Sequence, residues 1–209
     1  MIKGYIGLPG MGKTLNMVYD LREQMINGAT VISNTPIAFR HKGKQYEARR
    51  IDHEAEYRKA LVDCENCIFV IDEASVYLPS YFWSKLPGSL LMKFAQTRKY
   101  STDIYYTTQG YNHTVKRLRD LTNFVVKCRK VRIPFTSLMA FNSTVYDPEF
   151  FEQKIIGSPE WAKQYIVSQR TIYPTTAQAV YKMYDDMYRV STSALAETGK
   201  EENENPYPL

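Results

Sequence analysis

Residues 7 to 14 read GLPGMGKT: a glycine, four residues, a second glycine, a lysine and a threonine. This pattern constrains the fold more than any other stretch of the chain. Its glycines allow the backbone to turn tightly and to aim its N–H groups at a phosphate. A helix starting at the end of such a loop adds its positive terminus to the same point. The surroundings agree. IKGYI before the loop reads as a short strand, and KTLNMVYDLREQMIN after it reads as a helix with Leu15, Val18, Leu21 and Met25 on one side and Gly28 at its end. A strand, a phosphate cradle and a helix open an α/β layer fold. Gly7, Leu8, Pro9, Gly10, Met11, Gly12, Lys13 and Thr14 are the expected nucleotide-binding residues. Lys13 is expected to reach the β- and γ-phosphates and Thr14 to ligate Mg²⁺.

The alternation of strand and helix continues to about residue 130. TVISN reads as a strand, HKGKQYEARRID as a polar hairpin around Gly43, and HEAEYRKALVDC as a short helix. CIFVIDEA is a continuous apolar run ending in two carboxylates, the form of a buried parallel strand. SVYLPSYFWSKLPGS reads as a loop, LLMKFAQTRKY as a helix, TDIYYTTQ as a strand, NHTVKRLRDL as a helix and FVVKCRKVRI as a strand. After Pro134 the pattern blurs. A last helix is expected over TAQAVYKMYDDMYRV, with Ala179, Val180, Met183, Met187 and Val190 on its apolar side. The expected fold is a P-loop NTPase of the RecA/ASCE type, with a mainly parallel sheet flanked by helices. One domain is expected over residues 1–195. Residues 196–209 form an acidic tail with no apolar periodicity, expected to be disordered.

The second chemical feature is Asp72-Glu73. Hydrolysis of a nucleoside triphosphate needs a carboxylate at the end of a strand beside the P-loop to hold Mg²⁺, and a base to orient water. Asp72 fits the first role and Glu73 the second. Read alone, the pair is equally a helix N-cap. Gln109 ends the strand TDIYYTTQ; beside the Asp72 strand it would sense the γ-phosphate, and otherwise it is a solvated strand terminus.

Net charge is +5, and setting the acidic tail aside leaves 26 basic and 18 acidic residues. Seven cations fall in Lys116–Arg132: Lys116, Arg117, Arg119, Lys127, Arg129, Lys130 and Arg132. They read either as phosphate contacts along DNA, with Tyr111 and His113 stacking on bases, or as a solvated helix face and an edge strand guarded by lysines. Tyr77, Tyr81, Phe82 and Trp83 face either a partner or the chain's own sheet. Cys64, Cys67 and Cys128 read as ordinary reduced thiols, since the CENC pair has no second pair to complete a metal site. No apolar run approaches the roughly 18 residues that would span a bilayer, and no signal peptide is expected.

GLPGMGKT, VIDEA, FAQTRKYSTDIYYTTQ, VKRLRDL and the basic strand, in that order, resemble the zonular occludens toxin (Zot) family, assembly ATPases of filamentous phages within the FtsK–HerA class. VYKMYDD resembles the tyrosine-aspartate element near the end of that family's ATPase domain. The resemblance implies Gln109 as sensor and a homo-oligomeric ring of six subunits. It also implies an arginine finger from the neighbour, with Arg98 the first candidate and Arg119 and Arg117 behind it. ATP and Mg²⁺ are the implied cofactors. DNA and other phage virion or membrane proteins are the implied partners, and the host cytoplasm the implied place. Family members of this type usually continue into a transmembrane helix, which this sequence lacks. The expectation is therefore a DNA-translocating genome-packaging motor. The alternatives are a Zot-like extrusion ATPase working with a membrane partner, or a nucleotide-switched scaffold that moves no DNA. A small-molecule P-loop kinase fits Glu73 and Gln109 less well.

Overall fold

The computed structural model of the chain describes residues 1–52, 54–81, 87–152 and 163–184. Eight strands form one sheet in the order β10-β9-β8-β1-β7-β6-β2-β5. In the chain these are β1 (Ile2–Ile6), β2 (Thr30–Ser33), β5 (Arg49–Arg50), β6 (Cys67–Ile71), β7 (Asp103–Thr108), β8 (Phe124–Arg132), β9 (Met139–Tyr146) and β10 (Ile166–Ile172). The pairings from β8 through β1, β7, β6 and β2 to β5 are parallel; β8–β9 and β9–β10 are antiparallel. β3 (Ala38–His41) and β4 (Lys44–Glu47) form a separate hairpin whose two-residue turn is Lys42-Gly43. Both turn residues have positive φ, the mark of a type I′ hairpin.

Helices cover both faces. α1 (Lys13–Ile26) lies on one, and α2 (Glu54–Asp63), α3 (Ala74–Tyr77), α4 (Gly88–Ala95) and α5 (Lys116–Asp120) on the other. α6 (Glu149–Glu152) follows β9, and α7 (Pro174–Tyr181) returns to the α1 side. The period of two in β6 divides its side chains between the layers. Ile68 and Val70 join Leu15, Val18 and Leu21 of α1, while Cys67, Phe69 and Ile71 join Leu61, Leu90 and Phe94. The parallel strands at the centre of the sheet are thus buried on both faces, as a parallel sheet requires. The three cysteines are free thiols, all buried. Among the described residues no helix is long and apolar enough to cross a membrane.

Several expectations change. The 112–121 helix is one 3-10 turn (Tyr111–His113) followed by the short α5. The 75–89 stretch contains part of α3. On α7 the buried side is Ala177 and Val180, continued by Tyr184, and Ala179 is exposed. Met187 and Val190 lie outside the described residues, as do Phe82 and Trp83. β8 is an interior strand between β1 and β9, so its cations do not guard an edge. Tyr111 is buried and its hydroxyl donates to Arg119 O at 3.2 Å, so its ring is not offered to a base. Tyr77 packs on Tyr57 with ring centroids 5.2 Å apart, whereas Tyr81 is exposed.

A charged cluster ties the antiparallel extension to α1. Asp20 accepts from Lys3 Nζ (2.5 Å), Tyr5 OH (2.6 Å) and Arg170 Nη1 of β10 (2.5 Å). Arg170 also donates through Nη2 to Asn16 Oδ1 at 3.2 Å and lies over the Tyr19 ring at 4.4 Å. Burial alone would raise the Asp20 pKa, but the Lys3 and Arg170 charges and the hydrogen bonds from Lys3 and Tyr5 hold it below the ordinary carboxylate value. Because the folded pKa lies below the unfolded one, the stabilisation is fully present above about pH 4 and fades as pH falls through the folded value. Asp20→Ala leaves two cations without their anion; urea melts at pH 7 are expected to show a loss of about 3 kcal/mol. The gap from wild type should narrow on acidification.

Candidate functional site

The site is built at the carboxyl edge of the parallel strands, where β1, β6, β7 and β2 deliver their last residues side by side. β1 feeds the loop at residues 7–12. A Cβ on Gly7 would lie 2.8 Å from Cys128 O of β8, so no larger residue fits between the two backbones. Gly12 caps α1 in the left-handed region (φ 80°), and a Cβ there would meet the Phe141 ring at 2.5 Å. The loop thus rests on β8 and β9, and Lys130 N donates to Met11 Sδ at 3.4 Å.

Lys13 begins α1 and is only 6% exposed. Its ammonium has Leu8 O at 3.5 Å and Glu73 Oε1 at 3.6 Å, loose partners for a buried charge. Thr14 Oγ1 donates to Asp72 Oδ1 at 3.0 Å, and Thr107 Oγ1 donates to the same oxygen at 2.7 Å. Burial pushes the Asp72 carboxyl up from its ordinary value, against these two hydrogen bonds. A desolvated carboxylate beside a threonine hydroxyl suits a hard divalent cation, and the open loop with its under-partnered lysine suits the phosphates that such a cation accompanies. The residues present therefore fit Mg²⁺ and a nucleoside triphosphate, and Thr14 and Asp72 are the ones that would hold the metal.

One further residue braces Asp72. The Asn34 amide donates to Asp72 O and accepts from Asp72 N, both at 2.8 Å. It extends the β2–β6 ladder by one rung past Ser33↔Val70. Glu73 follows in the left-handed region (φ 53°, ψ 54°), a strained state for a residue with a Cβ, and its N–H is held by Thr107 Oγ1 at 2.9 Å. That turn starts α3 and leaves the carboxylate half-exposed on the Lys13 side. Asn34 and Thr107 were not expected from the sequence. The available signal was position: each is a polar residue at the carboxyl end of a parallel strand, as Asp72 is.

A cleft of about 410 Å³ opens beside the loop, lined by Pro9, Lys13, Asn34, Arg50, Asp72, Glu73, Tyr181 and Tyr184 among others. Gln109 lies one residue beyond β7, and β7 runs between β1 and the Asp72 strand, the neighbourhood expected of it; its side chain is exposed. The three candidate finger arginines are elsewhere. Arg98 lines a separate cleft of about 600 Å³ with Met1, Asn123 and Asp147, at the amino ends of the strands. That is a strand length away, roughly 17–20 Å, so Arg98 does not serve the site of its own chain. Arg119 is engaged locally: Nη1 donates to Asn112 Oδ1 and the guanidinium lies 5.8 Å from the Tyr111 ring centroid. Arg117 is exposed.

A family model described as zonular occludens toxin (Zot) matches residues 1–158. The chain belongs to the Zot family. No curated protein sequence matches it. Among solved structures it is similar to the N-terminal domain of zonular occludens toxin from Neisseria meningitidis: 19% identity, TM-score 0.56, covering 88% of this chain and 98% of that one. It is also similar to the genome packaging NTPase B204 from Sulfolobus turreted icosahedral virus 2 in complex with ATP-gammaS: 11% identity, TM-score 0.53, covering 83% and 97%. The fold is that of the P-loop NTPases, as expected from the sequence.

Two substitutions test the geometry. Gly12→Ala combines a left-handed backbone with overlap on Phe141 and is expected to abolish binding of a fluorescent ATP analogue. Thr107→Val removes one bond to Asp72 and leaves the Glu73 N–H without its acceptor. About a 10- to 100-fold fall in Mg²⁺-dependent ATP turnover is expected, with nucleotide binding retained.

Proposed function

We propose that the chain is an ATP-hydrolysing assembly motor of the Zot type, which moves DNA during virion morphogenesis together with a membrane partner. The observation that carries this reading is the joining of a Zot family match to a Thr14–Asp72–Glu73 arrangement around the P-loop. In it Lys13 and the loop N–H groups bind and orient the triphosphate, and Thr14 and Asp72 hold Mg²⁺. Bound Mg²⁺ would neutralise charge on the phosphates. Glu73, half-exposed and held at its backbone by Thr107, orients and deprotonates water. Gln109 senses the terminal phosphate from the end of the neighbouring strand. Arg98, remote from its own P-loop, is assigned to the neighbour's site in a ring of copies, with Arg119 second because its guanidinium is already held.

A second reading, genome packaging, is supported by the likeness in fold to the packaging NTPase B204. It shares every step at the nucleotide and differs in the direction in which DNA moves. In either case the working place is the host cytoplasm, at the membrane or virion through partners. A scaffold that moves no DNA would bind ATP with the same residues, but its turnover would ignore DNA.

ATP turnover of the assembled protein is expected to rise on adding DNA. Lys13→Ala is expected to lose both nucleotide binding and turnover. Glu73→Gln is expected to bind ATP and turn over at least about 100-fold more slowly. A wild-type rate indifferent to single- and double-stranded DNA would leave the scaffold reading in place of the motor.

A further inference from the structure

β8 outruns its parallel neighbour. Its ladder with β1 ends at Ile6↔Lys127, while its ladder with β9 continues through Arg129↔Asn142 to Arg132↔Met139. The two strands therefore project past the P-loop as a hairpin, closed by residues 133–138. The tip is ordered by hydrogen bonds: Thr136 N to Ile133 O (3.2 Å), Ile133 N to Leu138 O (3.0 Å) and Arg132 Nε to Thr136 O (2.9 Å). Pro134 and Phe135 occupy the central positions of the turn, and Phe135 has φ 61°. Glycine or asparagine usually takes that position, since a residue with a Cβ there costs about 1 kcal/mol or more. Here the strained position carries an aromatic ring that is fully exposed, and Leu138 nearby is half-exposed.

The charge around it has one sign. Between Asp120 and Asp147 the chain has no acid and four cations, Lys127, Arg129, Lys130 and Arg132. β10 adds none of either sign but Arg170, which is committed to Asp20. Lys127 and Arg129 fall on the sheet face opposite α1, in register with Thr144 and Asn142 of β9, and these in turn pair with Gln169 and Thr171 of β10. Of these, Gln169 and Thr171 are exposed. Cations among amides and hydroxyls along a strand suit a phosphodiester backbone. Cations spread along the strands, with a single aromatic at the turn, fit a polyanionic strand better than a lipid surface, whose docking wants a broad apolar face.

We infer that the β8–β9 hairpin is a single-stranded DNA site. Lys127 and Arg129 contact phosphates and Phe135 stacks on an unpaired base, which a duplex does not offer. The inference rests on the motor reading for its partner, but the binding itself needs no ATP. The test is fluorescence anisotropy of the full chain with a labelled oligo-dT strand, the matching duplex, and vesicles of phosphatidylglycerol, without nucleotide. Wild type is expected to bind the single strand more tightly than the duplex. Lys127→Glu/Arg129→Glu should weaken binding at least tenfold and flatten the log–log salt dependence by about 0.7 for each phosphate that is no longer neutralised. Phe135→Ala should weaken it about fivefold or more and remove the preference over duplex, with unchanged circular dichroism and thermal midpoint. Lys13→Ala should bind the oligonucleotide as wild type does. Variants that bind like wild type overturn the hairpin site and leave the motor reading intact. A preference for duplex or for vesicles overturns it as well. Wild type that binds no DNA removes both this site and DNA as the partner of the motor.

Discussion

The buried Asp72 carboxylate is the charge around which the carboxyl edge of the sheet is arranged. Burial raises the cost of its ionisation, so each neighbour that meets it has a defined task. Thr14 brings the first turn of α1 against it, Thr107 does the same for β7, and the Asn34 amide locks its backbone to β2. Four segments of the chain, far apart in sequence, are thereby fixed at one point. The same threonine that holds Asp72 also holds the N–H of Glu73, so the positions of the two carboxylates are not independent.

Much of this was legible because it is local. The P-loop is eight consecutive residues with a strand before and a helix after. The Asp-Glu pair ends an unbroken apolar run. Asn34 and Thr107 were not legible, since their significance depends on which strands lie beside β6, and strand order is not written in either segment. β9 escaped notice for another reason. It buries the adjacent pair Ala140 and Phe141 and also the polar Ser143, which breaks the alternation by which a strand is recognised. α7 shows that periodicity gives a helix more reliably than its phase. The helix is present, but its buried side is Ala177 and Val180 rather than Ala179 and Val180.

The polar contacts fall into two groups with different consequences. The Asp20 carboxylate is saturated: it has three donors, and its partner Arg170 is also held by Asn16 and Tyr19. Such a cluster fixes β10 against α1 and has little left to offer a ligand. Lys13 is the reverse. Its partners among the described residues, Leu8 O and Glu73 Oε1, lie at 3.5 and 3.6 Å, which leaves the buried ammonium free to meet an anion.

Phe141 gives this fold a mechanical property. Its ring is the floor on which Gly12 turns, and its strand runs on to the tip of the β8–β9 hairpin. At about 3.3 Å per residue the tip stands roughly 10–20 Å beyond that floor. The P-loop turn and the hairpin tip are therefore carried by one two-stranded ladder, so a displacement of that ladder is a displacement of the surface against which Gly12 packs.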